Sequence, residues 1–314
     1  MTTVLGISSY GSAPSVLEIV AEATSPQGTQ LFDLILIVDS HGDGTIQRHI
    51  EREELGPRVR YHNSNENLGA AGNLDKRLRW ATEAGGDLLF AINSDGHLDL
   101  ATVEKLLDYA SRHDCGAVYP ARRLADNCYE FTGILSFPWR SVRRAKKDLP
   151  VAEAIPVFWS SSNGALYSLQ PAANGTLPPA GLWHGWEDLA YGLLLAKAGH
   201  HQFMVPSARV ESRYEMTKMR GLGAASGPYS YVSDKPTWIA YYTSRNLLLI
   251  ATRVVPGPER VIAALTRISI EILVTLVTRD QKLERLGYLA RGVFDGIRGR
   301  QGMVVQPPRL PIGN

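Results

Sequence analysis

Residues 34–44 have the sequence LILIVDSHGDG, an apolar run followed by polar and turn-forming residues. A short apolar run bounded in this way is typical of a buried strand in a largely parallel sheet. The same form recurs at Thr3 to Ser8, Arg58 to His62 and Asp87 to Ile92, and a helix-like segment follows each run. This alternation predicts consecutive βαβ units and therefore an α/β fold.

Polar residues stand at the ends of three of these runs. Because ligands of open α/β sheets bind beyond the carboxyl ends of the strands, we expect these residues to line one crevice. They are Ser9-Tyr10-Gly11, Asp39-Ser40-His41-Gly42-Asp43-Gly44 and Asn93-Ser94-Asp95.

The first candidate for ligand binding is Asp39, which ends its run and precedes two glycines. A carboxylate that projects into the crevice suits hydrogen bonding to a nucleobase or ribose. The alternative is a turn-forming aspartate that caps the next helix at Thr45.

The second candidate is Asp95, two residues after Asn93 at the end of a run. A carboxylate there could hold Mg²⁺ or Mn²⁺, hard cations that take oxygen ligands and are completed by substrate phosphates. Such a metal would neutralise charge on a departing diphosphate. The alternative is a simple Asp-Gly turn.

The third candidate is the pair Glu187-Asp188, which opens a predicted helix to Ala198 after the segment Gly181 to Trp186. A carboxylate held at the mouth of a pocket could deprotonate an acceptor hydroxyl as a general base. The alternative is that both acids only complement the helix dipole.

Composition narrows the class of protein. A chain of 314 residues with 44% hydrophobic and 20% charged residues predicts a folded globular body. The net charge of +2 gives no general attraction to nucleic acid. Cys115 and Cys128 have no CxxC spacing, so neither a zinc site nor a redox motif is expected. The first residues, MTTVLGISSYG, lack the features of a signal peptide, which predicts a cytoplasmic location.

The chain is predicted to divide into an α/β region, residues 1–235, and a helical region, residues 236–314. Within the first region the pattern becomes shorter and more β-like from about residue 117. The helical region is predicted to hold three helices, Trp238 to Val254, Pro258 to Val277 and Lys282 to Ile297.

The apolar faces of the helical region have three possible interpretations. Core packing is the default for its apolar faces, and Arg267 and Glu271 argue against a membrane span. A homo-oligomer interface and peripheral contact with the inner face of a membrane stay open, the latter because of Trp238, Tyr241 and Tyr242.

Four motifs in this order resemble glycosyltransferase family 2. They are Val38-Asp39-Ser40-x-Gly42-Asp43-Gly44, Asn65-x-Asn67-Leu68-Gly69-Ala70-Ala71-Gly72-Asn73, Asn93-Ser94-Asp95 and Gly185-Trp186-Glu187-Asp188-Leu189. Two later motifs resemble the rhamnosyltransferase-type members and extend the resemblance over nearly the whole chain. They are Tyr241-Tyr242-x-x-Arg245-Asn246 and Gly292-x-x-Asp295-Gly296-x-x-Gly299-Arg300.

The resemblance implies an A-type glycosyltransferase fold, a Rossmann-like sandwich with a mostly parallel central sheet and a C-terminal helical extension. It also implies a UDP- or dTDP-sugar donor, a divalent metal (Mn²⁺ or Mg²⁺), and inversion at the anomeric carbon. Residues 1–235 would be the nucleotide-sugar-binding catalytic domain, with the donor part at about 1–116 and the acceptor part at about 117–235. The acceptor would be a glycan, a lipid-linked molecule or a small molecule, as in polysaccharide or glycoconjugate biosynthesis.

The resemblance also implies roles for individual residues. Asp188 would be the general base, with Glu187 orienting the site. The metal would be held by Asp95, with His97 as a second candidate. Donor binding would fall to Ser8, Ser9, Tyr10, Asp39, Asn67, Gly69, Asn73, Asn93, Ser94, Asp95 and Arg245. Acceptor binding would fall to Ser162, Asn163, Gly164, Trp183 and Trp186.

The chain departs from the family pattern at two places. Asn93 replaces the first acid of the usual Asp-x-Asp motif, so a neutral oxygen stands where a second charge would face the metal. Residues 210–213, Val-Glu-Ser-Arg, occupy the region where many relatives carry a histidine.

Two other functions remain open. A sugar-nucleotide nucleotidyltransferase would also bind a nucleotide on an α/β sheet, but the loop after the first strand has no Lys or Arg. A non-catalytic sugar-nucleotide-binding or scaffold protein could have kept the fold after losing the acid at position 93. Turnover of a donor would distinguish an enzyme from the scaffold.

Overall fold

The computed structural model describes residues 1–123, 129–132, 142–144, 151–211 and 236–307. Side chains are described except those of residues 123, 129–132, 142–144, 211 and 278. Cys128 and residues 212–213 lie outside the described residues. Cys115 is partly buried against the core, and burial raises the pKa of its thiol to about 11, which suits a small apolar residue better than a reactive one.

The first half of the chain alternates strands and helices as predicted. Its elements are β1 (Thr3–Ser9), α1 (Ala13–Ala23), α2 (Gly28–Leu31), β2 (Leu34–Asp39), α3 (Thr45–Arg52), β3 (Val59–Asn63), α4 (Gly69–Glu83), β4 (Leu88–Asn93) and α5 (Leu100–Arg112). Each predicted apolar run is a strand, although each of the four strands ends one residue later than its run.

The second half continues the sheet and then becomes helical. Its elements are β5 (Ala117–Arg123), β6 (Tyr129–Thr132), β7 (Val142–Arg144), β8 (Ile155–Pro156), β9 (Ala165–Ser168), α6 (Gln170–Ala173), a 3₁₀ turn (Ala180–Leu182), α7 (Glu187–Lys197) and β10 (Gln202–Glu211). Within residues 236–307 three helices follow: α8 (Ile239–Leu249), which continues as a π-helical turn (Ile250–Val254), α9 (Pro258–Thr278) and α10 (Lys282–Arg298).

The described strands form one sheet in the order β3-β2-β1-β4-β9-β5-β10-β8, with β6 paired to β5 and β7 paired to β6. The pairs β3–β2, β2–β1, β1–β4 and β5–β10 are parallel, whereas β9 runs antiparallel to both of its neighbours. The predicted mostly parallel sheet is confirmed.

Alternating side chains of the strands bury against helices on both faces of the sheet. Val4 and Leu36 face the layer that contains α4, while Leu5 and Ile37 face the layer that contains α1 and α5. The strands are therefore apolar on both sides, and the fold is the predicted sandwich.

Helices α8 and α10 pack closely on each other through two of the late motifs. A Cβ on Gly292 would lie 2.3 Å from the Tyr241 carbonyl oxygen, so only glycine permits this approach. The Tyr241 hydroxyl donates to Asp295 Oδ2 at 2.8 Å. Among the described residues, no helix is both long and apolar enough to cross a membrane.

Candidate active site

The polar residues at the strand ends lie side by side, as the sequence predicts. The parallel register pairs Ser9 with Asp39, Asp39 with Asn63, and Ser8 with Asn93. The Ser8 hydroxyl donates to Asn93 Oδ1 at 3.1 Å, which joins the ends of β1 and β4. One sheet edge therefore carries the four segments β3, β2, β1 and β4 in a row.

Asp39 is buried and held from two sides. Its Oδ2 accepts from the Tyr61 hydroxyl at 3.0 Å and its Oδ1 accepts from the His41 backbone N–H at 3.1 Å. Burial and the Asp39 charge raise the pKa of Tyr61 far above its usual range, so Tyr61 is a fixed donor. Asp43, not Asp39, accepts from the Thr45 N–H at the start of α3, at 2.8 Å. Asp39 is therefore not the helix cap.

An exposed aromatic pair lies beside Asp39. The ring centroids of Tyr10 and His41 are 5.3 Å apart, and both side chains are exposed. The Ser9 hydroxyl is buried, and no described residue bonds to it. An exposed aromatic face next to a fixed carboxylate can stack on a planar ring and bind its polar edge.

The segment after β4 turns sharply at the sheet edge. The Gly96 N–H donates to the Asn93 carbonyl at 2.8 Å, and the Ser94 N–H donates to the Ser8 carbonyl at 2.9 Å. Asp95 and His97 are both exposed in this turn. An Asp-Gly turn is present, as the alternative interpretation predicted, and Asp95 lies in it two residues after the end of β4.

The residues near Asp95 fit a cation that takes most of its ligands from a substrate. The described residues contain no cluster of three His, Cys, Asp or Glu side chains that would hold a metal alone. Mg²⁺ and similar ions often use only one or two carboxylates and complete their shell with phosphate oxygens. Asp95 meets that requirement, and His97 stays a candidate ligand by prediction.

The turn between β3 and α4 is joined to the loop before α7. Asn67 Oδ1 accepts from the Gly69 N–H at 3.0 Å, and the Asn67 carbonyl accepts from Trp183 Nε1 at 3.0 Å. The Ala71 N–H donates to the Trp183 carbonyl at 3.0 Å. The motif from Asn65 to Asn73 therefore holds the loop that leads to Glu187 and Asp188.

Gly69 is required at this junction, and we expect Gly69→Ala to destabilise the fold. Gly69 has φ +64°, and a Cβ there would lie 2.2 Å from the Trp183 carbonyl oxygen. The conformation costs about 1–2 kcal/mol, and overpacking adds about 1–3 kcal/mol. Gly85→Ala is the matched control, since Gly85 has φ +79° but its Cβ would meet nothing within 4 Å. Thermal unfolding should show a clearly lower Tm for Gly69→Ala than for Gly85→Ala, and equal values would contradict this account.

Two predicted ligand-binding residues are buried and make structural contacts, and their contact with a ligand stays a prediction. Trp183 was expected to bind the acceptor, but its ring is buried against Tyr242, with centroids 4.8 Å apart. Arg245 was expected near the donor, but it is fully buried and donates to the carbonyls of Leu182 and Gly302 at 2.7 and 2.6 Å. Both interactions stabilise the loop before α7, which leads to Glu187 and Asp188.

Asn246 completes this support. Its Nδ2 lies 3.0, 2.9 and 2.7 Å from the carbonyl oxygens of Leu182, His184 and Gly185. The C-terminal helices thus hold the loop that ends at Trp186, which caps α7 with φ 67°. Left-handed residues of this kind cluster where a site needs a fixed, strained backbone.

Three more predicted binding residues form hydrogen bonds with the backbone of the sheet. Asn73 Nδ2 donates to the Val38 carbonyl at 3.0 Å, which ties α4 to the end of β2. Asn163 Oδ1 accepts from the Asn93 N–H at 3.0 Å, and the Gly164 N–H donates to the Ala91 carbonyl at 2.8 Å. These bonds place the start of β9 against the end of β4. Contact of these residues with substrate stays a prediction.

Asp188 is the second residue of α7, directly after the loop that these contacts hold in place. Ser162, next to Asn163, is hydrogen-bonded to its carboxylate, while Asp188 Oδ1 is buried and no described residue donates to it. Burial raises the pKa of Asp188, against the opposing effect of the Ser162 hydrogen bonds and of the charges on Arg122 and Arg77. A carboxyl group with a raised pKa and one unsatisfied oxygen is suited to accept a proton.

Sequence reasoning missed three residues of the site. Arg122, at the end of β5, lines a small pocket with His97 and Asn163, and its charge acts on Asp188. Arg77 is buried beneath the sheet and donates to the carbonyls of Gly6 and Ile92 at 3.0 and 3.1 Å. Tyr61 is the third. Arg122 could have been found as a basic residue directly after an apolar run, but Arg77 and Tyr61 have no local signal.

The comparison with known sequence families identifies the class of protein. The model of Glycosyl transferase family 2 matches residues 5–168, just over half of the chain. The chain therefore belongs to glycosyl transferase family 2 and is a glycosyltransferase. A comparison with curated protein sequences gives no match.

Solved structures agree on the fold. TarS of S. aureus, residues 1–349, has a TM-score of 0.56 at 12% identity, covering 95% of this chain and 81% of that one. The mannosyltransferase PcManGT of Pyrobaculum calidifontis, in complex with GDP-Man and Mn²⁺, has a TM-score of 0.52 at 14% identity, covering 94% and 86%. At these identities the likeness establishes the A-type glycosyltransferase fold.

Proposed function

We propose that this protein is an inverting glycosyltransferase that moves a sugar from a nucleoside-diphosphate donor to an acceptor hydroxyl, with Asp188 as the general base. The observation that carries the proposal is the Asp188 carboxylate, with its raised pKa and its unsatisfied Oδ1, close to the polar ends of the strands. Inverting transfer needs one base and no covalent intermediate.

The donor would bind along the row of strand ends. Asp39 is fixed by Tyr61 and His41, and the exposed ring of Tyr10 lies beside it, an arrangement that suits a nucleobase and its ribose. TarS has been solved with UDP-GlcNAc and PcManGT with GDP-Man, which supports a nucleotide sugar as donor.

Asp95 would hold a divalent metal, with Asn93 and His97 as the nearby groups that could add a ligand. When bound, the metal would offset negative charge on the donor diphosphate. Mn²⁺ accompanies the donor in PcManGT, which supports a metal of this class.

Transfer is then one displacement. The acceptor oxygen forms a bond to the anomeric carbon while the bond between that carbon and the diphosphate oxygen breaks. The acceptor proton passes to Asp188, whose carboxylate is held by Ser162. Positioning by the fixed loop before α7 would supply much of the rate.

Inversion can be tested by NMR of the sugar's anomeric proton in the donor and in the first product formed. We expect opposite anomeric configurations before any spontaneous equilibration. Retention would overturn the single displacement and the role of Asp188 as its base.

The rate of transfer should depend on pH through Asp188. Its pKa is raised above the ordinary value of about 3.9, and only the ionised form accepts a proton. The kcat should therefore be high above this raised pKa and fall as pH drops through it. The acidic limb should be absent from the residual activity of Asp188→Asn. An acidic limb that persists in that variant would assign the ionisation to another group.

A further inference from the structure

Helix α9 exposes a continuous apolar face. The exposed fractions are 61% for Leu273 and 69% for Val277, and five other large apolar side chains of the same helix are exposed. These are Ile262, Leu265, Ile270, Ile272 and Leu276. A large exposed apolar patch on a folded protein marks an interaction site more often than a free surface.

Glu271, a charged residue of α9, lies on the buried side of the helix. It pairs with the buried Arg279 and lies 3.7 Å from Arg267, whose side chain is 46% exposed. The charge of Glu271 is therefore paired within the chain. The opposite face, from Ile262 to Val277, carries only apolar side chains, Thr266 and Ser269.

The residues of this face are arranged symmetrically about Ser269. Ile262 and Leu276 lie seven residues on either side of it, Leu265 and Leu273 lie four, and Thr266 and Ile272 lie three. A two-fold axis through Ser269 would therefore place Ile262 opposite Leu276 and Leu265 opposite Leu273 in an antiparallel copy, with Ile272 opposite Thr266. Only a small residue at the crossing point allows two helices to approach closely.

We infer that α9 is the interface of a homodimer, in which two copies of this chain pack α9 antiparallel and cross at Ser269. An isologous interface must be self-complementary, and the symmetric spacing provides this. A membrane surface fits less well, because interfacial helices have a polar face rich in Lys or Arg and carry Trp, Phe or Leu on the apolar face. Between Ile262 and Val277, α9 has one basic residue, Arg267, and its apolar face has leucines but no aromatic residue.

Sedimentation velocity at micromolar concentration tests the dimer. The wild type should sediment as a dimer, and Leu273→Glu should be monomeric with an unchanged Tm, since Leu273 is exposed in the single chain. The matched control is Val151→Glu, at a fully exposed apolar residue outside α9, which should stay dimeric. A monomeric wild type would overturn the inference.

Disulfide trapping tests the symmetry. Ser269→Cys should form a cross-linked dimer on mild oxidation, because the two copies of residue 269 meet at the axis. Thr266→Cys should not, since its two copies would be offset by about 9 Å along the helices at 1.5 Å per residue, whereas Thr266→Cys/Ile272→Cys should cross-link. Equal trapping of the single variants, or binding to phosphatidylglycerol vesicles without any self-association, would contradict the proposed interface.

Discussion

Replacing Asp188 by asparagine is expected to lower kcat by about 10²–10⁴-fold, the range that a positioned general base contributes. Asparagine keeps the shape of the side chain but cannot take the acceptor proton. Donor binding should change little, because the loss falls on the chemical step and not on the row of strand ends. Steady-state kinetics with a nucleotide-sugar donor would measure the effect.

The stability of Asp188→Asn separates catalysis from folding. Because burial raises the pKa of Asp188, the folded state favours the protonated group, and its ionised form destabilises the fold at neutral pH. The Tm of the variant should therefore be equal to or above that of the wild type. Asp108→Asn, at an exposed residue of α5, is the control and should keep full activity. Near-normal kcat in Asp188→Asn would remove Asp188 from the role of base.

Replacing Asp95 by alanine is expected to weaken metal-dependent binding of the nucleoside diphosphate by at least about 100-fold, since even outer-shell partners of a metal ligand cost about 10–100-fold. Asp95 is the exposed carboxylate of the turn after β4, and the described residues hold no three-ligand cluster that could replace it. Titration calorimetry of UDP, dTDP and GDP, with and without Mn²⁺, would measure the loss.

The pattern across conditions identifies the cause of that loss. Chelation of the metal should weaken binding to the wild type but have little effect on Asp95→Ala, since the variant has already lost the metal contribution. Asp108→Ala should behave like the wild type. If chelation weakens both proteins equally, the metal is held elsewhere.

The positions of the strands could be predicted because their signal is local. Runs such as Leu34 to Val38 are apolar throughout, and buried parallel strands require this on both faces. The edge residues Asp39, Asn93 and Asp95 follow from the same logic, since each stands at the end of its run. The order of the strands and the antiparallel insertion of β9 carry no local signal.

The roles of several residues depend on packing that no short motif encodes. Arg245 and Trp183 belong to motifs that suggested ligand contact, yet α8 and α10 bury them against the loop before α7. Tyr61 bonds to Asp39, 22 residues away in the chain, and Arg77 bonds to the Gly6 carbonyl, 71 residues away. These contacts form only when the strands pair in the folded sheet, so no local sequence pattern predicts them.

For helix α9, the sequence does not predict which apolar face is buried. Its helical spacing predicts an apolar stripe facing the core, and Ala264 and Ile268 do pack there. The helix has a second apolar face, however, and periodicity alone cannot say which face the body of the protein covers. The structure leaves the face around Ser269 exposed.

Donor turnover is the most direct test of the central claim. Purified wild type and Asp188→Asn would be incubated with Mn²⁺ and a panel of UDP-, dTDP- and GDP-sugars, and release of the nucleoside diphosphate would be followed, with water as the acceptor where no other is supplied. We expect the wild type to release one diphosphate in a metal-dependent reaction, and Asp188→Asn to release it at least about 100-fold more slowly. Binding of a donor without release by the wild type would contradict catalysis and point to a non-catalytic sugar-nucleotide-binding protein.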